Sequence, residues 1–63
     1  MIFTIHFEYE EYDDFGFWNK ITDMIVSKGN SIEEARTNVI DEILYGTNKR
    51  KRRNIKILYI EEI

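Results

Sequence analysis

The sequence predicts a small α+β domain of order β-β-β-α-β, with one amphipathic helix packed on one face of a small sheet. Three observations point there: an alternating apolar run at the front, a helix-start signal ahead of an apolar helical repeat, and a second alternating run near the end. With 63 residues the chain has room for one domain, residues 1–63.

Residues 1–9 read as the first strand, because Phe3, Ile5, Phe7 and Tyr9 fall on one face and Ile2, Thr4, His6 and Glu8 on the other. Charge at residues 10–14 breaks the alternation and Gly16 adds flexibility, the signature of a hairpin connection. Residues 15–21 return as a second strand, with Phe17, Asn19 and Ile21 opposite Trp18 and Lys20. Thr22 and Asp23 suit a turn, and residues 24–28 make a short third strand with β-branched Ile25 and Val26.

Ser31 followed by Glu34 is a capping box, in which a hydroxyl and a carboxylate each satisfy an orphaned backbone N–H. Beyond it Ile32, Ala35, Val39 and Ile43, flanked by Ile40 and Leu44, recur at helical spacing. Glu33, Arg36, Asn38, Asp41 and Glu42 mostly fill the other face. Gly46 stands where a left-handed C-cap glycine belongs, so the helix runs over residues 32–45. Residues 54–62 form a fourth strand, with Ile55, Ile57 and Tyr59 alternating against Lys56, Leu58 and Ile60.

A chain this short buries only roughly 60% of the surface its unfolded form exposes, and oligomerisation is one remedy. Cysteine is absent, which removes disulfides and thiolate metal sites and fits a reducing, cytoplasmic setting. Apolar runs fall far short of the ~20 residues of a membrane span, and no basic segment followed by an apolar stretch marks a secretion signal. The expectation is a cytoplasmic protein without cofactor or membrane partner.

The net charge of −3 hides a segregation. Glu8, Glu10, Glu11, Asp13 and Asp14 form an acidic stretch, and Lys49, Arg50, Lys51, Arg52 and Arg53 an unbroken basic run. The right-handed crossover rule returns the fourth strand in the direction of the first. That direction puts the carboxylates, with Glu61 and Glu62, at one pole and the basic run at the other. The acidic pole is then a candidate surface for a protein partner, and the basic run a candidate nucleic-acid contact. Trp18 is a candidate interface aromatic. Both strand faces carry apolar groups, so the face the helix leaves open is a candidate homodimer or partner interface.

His6 is the only histidine, and no nucleophile–base–acid set assembles around it. The carboxylates lack the spacing, glycine and terminal glutamate of a calcium loop. An enzyme is therefore not expected, nor a metal site.

The stretch Gly29-Asn30-Ser31, then Glu33-Glu34-Ala35 and Asn38-Val39-Ile40 within residues 25–43, resembles the core of HicB-like antitoxin domains. In that family a strand ends in a Gly-Asp/Asn-Ser/Thr turn ahead of such a helix. The resemblance implies a partial ribonuclease H-like β-β-β-α-β unit, dimerisation and binding of a protein partner, without nuclease activity. Two features depart from the family. The Pro-rich loop with its Gly-Cys pair is replaced by Thr22 and Asp23, and the sequence stops at Ile63 where family members usually continue into a DNA-binding module. The expected function is an antitoxin or inhibitor that blocks a toxin or host enzyme by occlusion. The alternatives are a phage-encoded inhibitor of a host defence nuclease, of anti-restriction or anti-CRISPR type, and a nucleic-acid-binding accessory protein working through the basic run.

Overall fold

In the computed structural model, which describes residues 1–46 and 50–63, the first strand is the centre of everything else. β1 (Ile2–Tyr12) lies between β2 (Trp18–Lys28) and β3 (Arg52–Glu62), and α1 (Ile32–Tyr45) connects the two outer strands. The result is a small α+β fold of order β-β-α-β, with three antiparallel strands and one helix.

The alternation in β1 is realised as expected. Phe3, Ile5, Phe7 and Tyr9 are buried, and with Ala35, Val39 and Ile43 of α1 they make one apolar cluster. Ile21, Ile25, Ile55, Ile57 and Ile60 complete it from the outer strands. The helix contributes at i, i+4 and i+8, one side of a 3.6-residue repeat. Ile32 and Leu44, expected with that stripe, are substantially exposed.

Ser31 caps the helix, its hydroxyl accepting the Glu34 N–H at 3.2 Å. The Glu34 carboxylate accepts the Asn30 N–H at 3.2 Å, one residue ahead of the usual capping-box donor. At the other end Gly46 donates to the Glu42 carbonyl with φ −71°, so it is not the left-handed cap that was expected. It is suited to the place by size instead: a Cβ there would collide with the Glu42 carbonyl oxygen.

Three further expectations are corrected. The second and third strands are one: β2 runs through Thr22 and Asp23 without a turn, in unbroken register from Ile2↔Lys28 to Tyr12↔Trp18. Asp23 is held in the strand by its own carboxylate, which accepts the Met24 N–H at 2.7 Å. Phe15 and Phe17 precede that strand, in the connection from β1. The last strand runs antiparallel to β1, not parallel. The crossover rule links the strands on either side of the helix, and β2 and β3 do run the same way; one strand fewer before the helix reverses the last strand relative to the first.

The alternation in β3 is also broken. Register shifts fall between His6 and Phe7 and between Glu8 and Glu10, so β3 carries one extra residue at each: Leu58 at the first, and at the second Asn54 and Ile55 together against Tyr9. The first shift sends Ile60 into the core with Ile57 and turns Tyr59 to the opposite face. At the second, Asn54 adopts φ +54°, a left-handed conformation that asparagine tolerates better than most residues.

Ser31→Ala should lower stability by about 1 kcal/mol through loss of the cap, and Val39→Ala by about 2 kcal/mol through loss of buried area and the cavity left behind. Asn54→Val should destabilise by about 1–2 kcal/mol because a β-branched residue resists positive φ, whereas Asn54→Gly loses only the side-chain contacts. Urea denaturation of the four variants checks the ranking.

Candidate interaction surfaces

Antiparallel pairing of β1 and β3 brings the two charged stretches together, and the expected opposite poles do not exist. Glu10 lies across from Arg53 and Glu11 across from Arg52. Arg53 reaches the Glu10 carboxylate at 3.4 Å, and Asn54 Nδ2 donates to the same group. Arg52 Nε donates to Glu11 at 3.0 Å, and Arg50 pairs with Asp14 at 3.2 Å and approaches Glu11 at 4.0 Å. Glu8 is paired on its other side, with Lys20 of β2 at 3.2 Å. The hydrogen bond from Asn54, with the Arg53 charge, holds the Glu10 carboxyl below its ordinary range.

Arg52 does more than neutralise. Its Nη1 donates to the Ile43 carbonyl at 3.0 Å, near the end of a helix with no basic residue in its last turn. A cation there satisfies an otherwise orphaned carbonyl and opposes the negative end of the helix dipole. Its guanidinium also sits 4.6 Å from the Tyr9 ring centroid. One side chain thus ties β3 to β1 and to the end of α1. Lys51 is exposed, and its carbonyl accepts the Tyr12 N–H at 3.0 Å. Lys49, the first residue of the basic run, lies outside the described residues.

Asp13 organises the β1–β2 connection. Its Oδ1 accepts the backbone N–H groups of Phe15 and Phe17, each at 2.9 Å, and its Oδ2 accepts Asn19 Nδ2 at 2.7 Å. Its own N–H donates to the Phe17 carbonyl at 2.8 Å, and Gly16, at φ +85°, donates to the Asp13 carbonyl at 3.3 Å. These bonds, led by that from the Phe17 N–H, hold the Asp13 carboxyl below its ordinary value of 3.8. The turn they fix presents Phe15 and Phe17 to solvent, 85% and 66% exposed. Reading the second strand from residue 15 hid both rings in a sheet. The signal that was available is the Asp-x-Phe-Gly-Phe spacing, since an aspartate ahead of a glycine marks a side-chain-closed turn.

Trp18 opens β2, across from Tyr12 at the hairpin end of the sheet. Arg53 stacks 3.9 Å from its ring centroid and Tyr12 meets it edge-on at 5.1 Å. A cleft of about 310 Å³ beside it is lined by Glu8, Tyr9, Glu10, Trp18, Lys20 and Asn54. His6 lies away from this cleft, stacked on Tyr59 at 4.0 Å and 3.8 Å from Glu61. Among the described residues no cluster of histidine and carboxylates is placed to hold a metal, and no helix is long and apolar enough to cross a membrane.

In comparisons with known proteins, no family model, no curated protein and no solved structure matches this chain.

The lowered pKa of Asp13 sets a pH dependence. A carboxyl whose folded pKa is depressed contributes stability in full above its unfolded value and loses it as pH falls through the folded one. Stability should therefore decline as pH drops below about 3.8 for Asp13 and 4.5 for Glu10. Asp13→Asn keeps an acceptor oxygen but not the charge, so its melting temperature should be lower at neutral pH and fall less on acidification than that of the wild type. Thermal melts across pH 2–7 check it.

Proposed function

We propose that the chain is a small non-enzymatic protein-binding domain, an antitoxin or inhibitor of HicB-like type that blocks a partner protein by occlusion. In this reading α1 covers one face of the sheet and the β1–β2 turn engages the partner, a toxin or a host enzyme. Phe15 and Phe17 carry the proposal: two large rings are exposed at a turn that Asp13 fixes in place. Aromatic rings supply much contact area for few rotatable bonds, and interface energy concentrates in such side chains when a partner desolvates them. A preformed turn lowers the ordering cost of binding further.

The paired charges alter the roles first assigned to the two stretches. Glu10, Glu11 and Asp14 already meet arginines of the same chain, so a basic partner would have to compete with Arg50, Arg52 and Arg53 for them. A phosphate backbone would face the converse competition. The carboxylates and arginines thus suit a mixed polar rim around the aromatic turn better than a steering pole of either sign.

The HicB-like element of the proposal rests on the join between β2 and α1. Gly29 is close-packed there, because a Cβ would lie 2.9 Å from the Ala35 nitrogen. Ser31 and Glu34 cap the helix, and Ala35 is fully buried. The three-strand order departs from the four-strand unit that the resemblance implies, so the proposal draws on that join and not on the whole topology.

Phe15→Ser/Phe17→Ser tests the function. The tagged chain is used to capture its partner from the cell of origin, and the identified partner is purified for titration calorimetry. The double variant should keep the wild-type melting temperature and lose about 100-fold or more in affinity, as expected when hot-spot side chains are removed. Unchanged affinity would reject the turn as the binding element.

A further inference from the structure

The sheet has two margins, and only one is guarded. On β3 the margin is interrupted by both bulges and carries Arg52, Arg53 and Lys56, devices that stop a foreign strand from pairing. From Thr22 to Ser27, β2 holds no bulge, proline or cation, and its register to β1 is unbroken.

Hydrogen bonding alternates along an antiparallel pair. Gly29 donates to the Met1 carbonyl and Asp13 to that of Phe17, so the odd residues of β2 bond to β1 and the even ones turn their N–H and C=O outward. Two of these outward groups are occupied. The Asp23 carboxylate accepts the Met24 N–H at 2.7 Å, and Asn38 Nδ2 of α1 donates to the Lys28 carbonyl at 3.3 Å. Among the described residues, both backbone groups of Thr22 and of Val26, and the Met24 carbonyl, have no protein partner.

The Asn38 bond also shows which side of α1 stands over this margin, and Glu42, one turn on, is on the same side. Between that side and β2 lies a trough, made by two adjoining cavities of about 200 and 340 Å³ that share Ile25 and Glu42. Asp23 lines the smaller cavity and Ser27 the larger. Among the described residues Asp23 and Glu42 take part in no ion pair. Arg52, which also lines the smaller cavity, is held by Glu11 and the Ile43 carbonyl. On the other face of the sheet this stretch of β2 presents Met24 and Val26, 57% and 59% exposed.

We propose that this margin takes an extended peptide segment of a partner protein as a fourth strand, antiparallel to β2, apolar on one side and basic on the other. Main-chain bonds to Thr22 and Val26 hold the segment, and alternation of its side chains sets the pattern. Those beside Met24 and Val26 are apolar. Those beside Asp23 and Ile25 enter the trough, where Lys or Arg meets the Asp23 and Glu42 carboxylates. A cation there draws the Asp23 carboxylate away from the Met24 N–H and frees that donor for the incoming strand. The same charges turn away a second copy. Pairing β2 with β2 of another chain sets two α1 helices side by side, and in each Glu33, Glu34, Asp41 and Glu42 outnumber Arg36. The bulged margin of β3 does not match the regular one of β2.

This margin is separate from Phe15 and Phe17, so the test needs no cellular partner. A capped, fluorescently labelled peptide, Thr-Val-Lys-Val-Lys-Val-Thr, is titrated with the full chain by anisotropy, up to about 1 mM protein. It should bind, and more weakly as salt is raised. Antiparallel pairing points the valine N–H groups at β2 and the lysine N–H groups away. N-methylation of the valines should therefore weaken binding about 10-fold or more, and N-methylation of the lysines by less than about 3-fold. These two peptides leave the protein untouched, so its folding does not enter the comparison. Glutamates in place of both peptide lysines, or Glu42→Lys in the protein, should each weaken binding about 10-fold or more. Phe15→Ser/Phe17→Ser should bind the parent peptide as the wild type does. No binding of the parent peptide at the highest concentration overturns the proposal. Equal binding of the valine-methylated peptide does so too, by showing side-chain contact without strand addition. A glutamate peptide that binds as tightly as the lysine one rejects the basic partner. A chain that sediments above 7.7 kDa and takes no peptide gives the margin to a second copy instead.

Discussion

The fold depends on one constraint: β1 must be the middle strand. It carries Phe3, Ile5, Phe7 and Tyr9 on one side, four of the seven buried core residues among those described. Only a strand with a neighbour on each edge can bury such a row while all its backbone groups remain paired. From that follow the antiparallel outer strands, the helix that must span the sheet from one edge to the other, and the meeting of the two charged stretches. The same central position sets Glu8 and Glu10 along the midline of the open face, with lysines and an arginine on the flanking strands.

Arg52 shows how far that arrangement is cross-braced. It bonds to Glu11 in the central strand and to the Ile43 carbonyl in the helix, and it covers Tyr9 at the margin of the core. Its side chain and that of Glu11 are 15% and 17% exposed, so this pair is shielded from solvent more than the Arg50–Asp14 and Arg53–Glu10 pairs around it. Outer pairs of that kind contribute little each, and the inner one, less screened by water and salt, contributes more. A basic run that looks like a ligand-binding signal in the sequence is thus, for Arg52, a fastening of the fold. Replacing all five basic residues to probe nucleic-acid binding would disturb the sheet as well.

Period and capping made the helix legible: Ser31, Ala35, Val39 and Ile43 do what their spacing indicates, and Glu34 accepts one residue further out, from the Asn30 N–H. The face of β1 was legible for the same reason. Strand count was not, because Thr22-Asp23 is a common turn pair and nothing in the sequence states that Asp23 will accept its neighbour's N–H within a strand. With one strand fewer before the helix, the last strand runs against the first and the two charged stretches touch. The bulges of β3 were equally hidden, since an extra residue leaves the apolar count unchanged while exchanging Tyr59 and Ile60 between faces. Of the candidate site, the charged residues and Trp18 were found and their grouping missed. Phe15 and Phe17 were seen but placed in a strand.

The order of the strands also has a consequence for biosynthesis. The central strand is made first and its second neighbour last among the described elements, with β2 and α1 between them. While a ribosome is still delivering residues 52–62, β1 has one bare edge. Its row of N–H and C=O groups is open to any passing strand until β3 arrives. Closing that gap joins segments separated by most of the chain, the kind of contact that slows folding. Shortening the chain by its last strand would therefore leave the middle of the sheet as its margin. Such a fragment is expected to aggregate rather than persist as a smaller version of the domain.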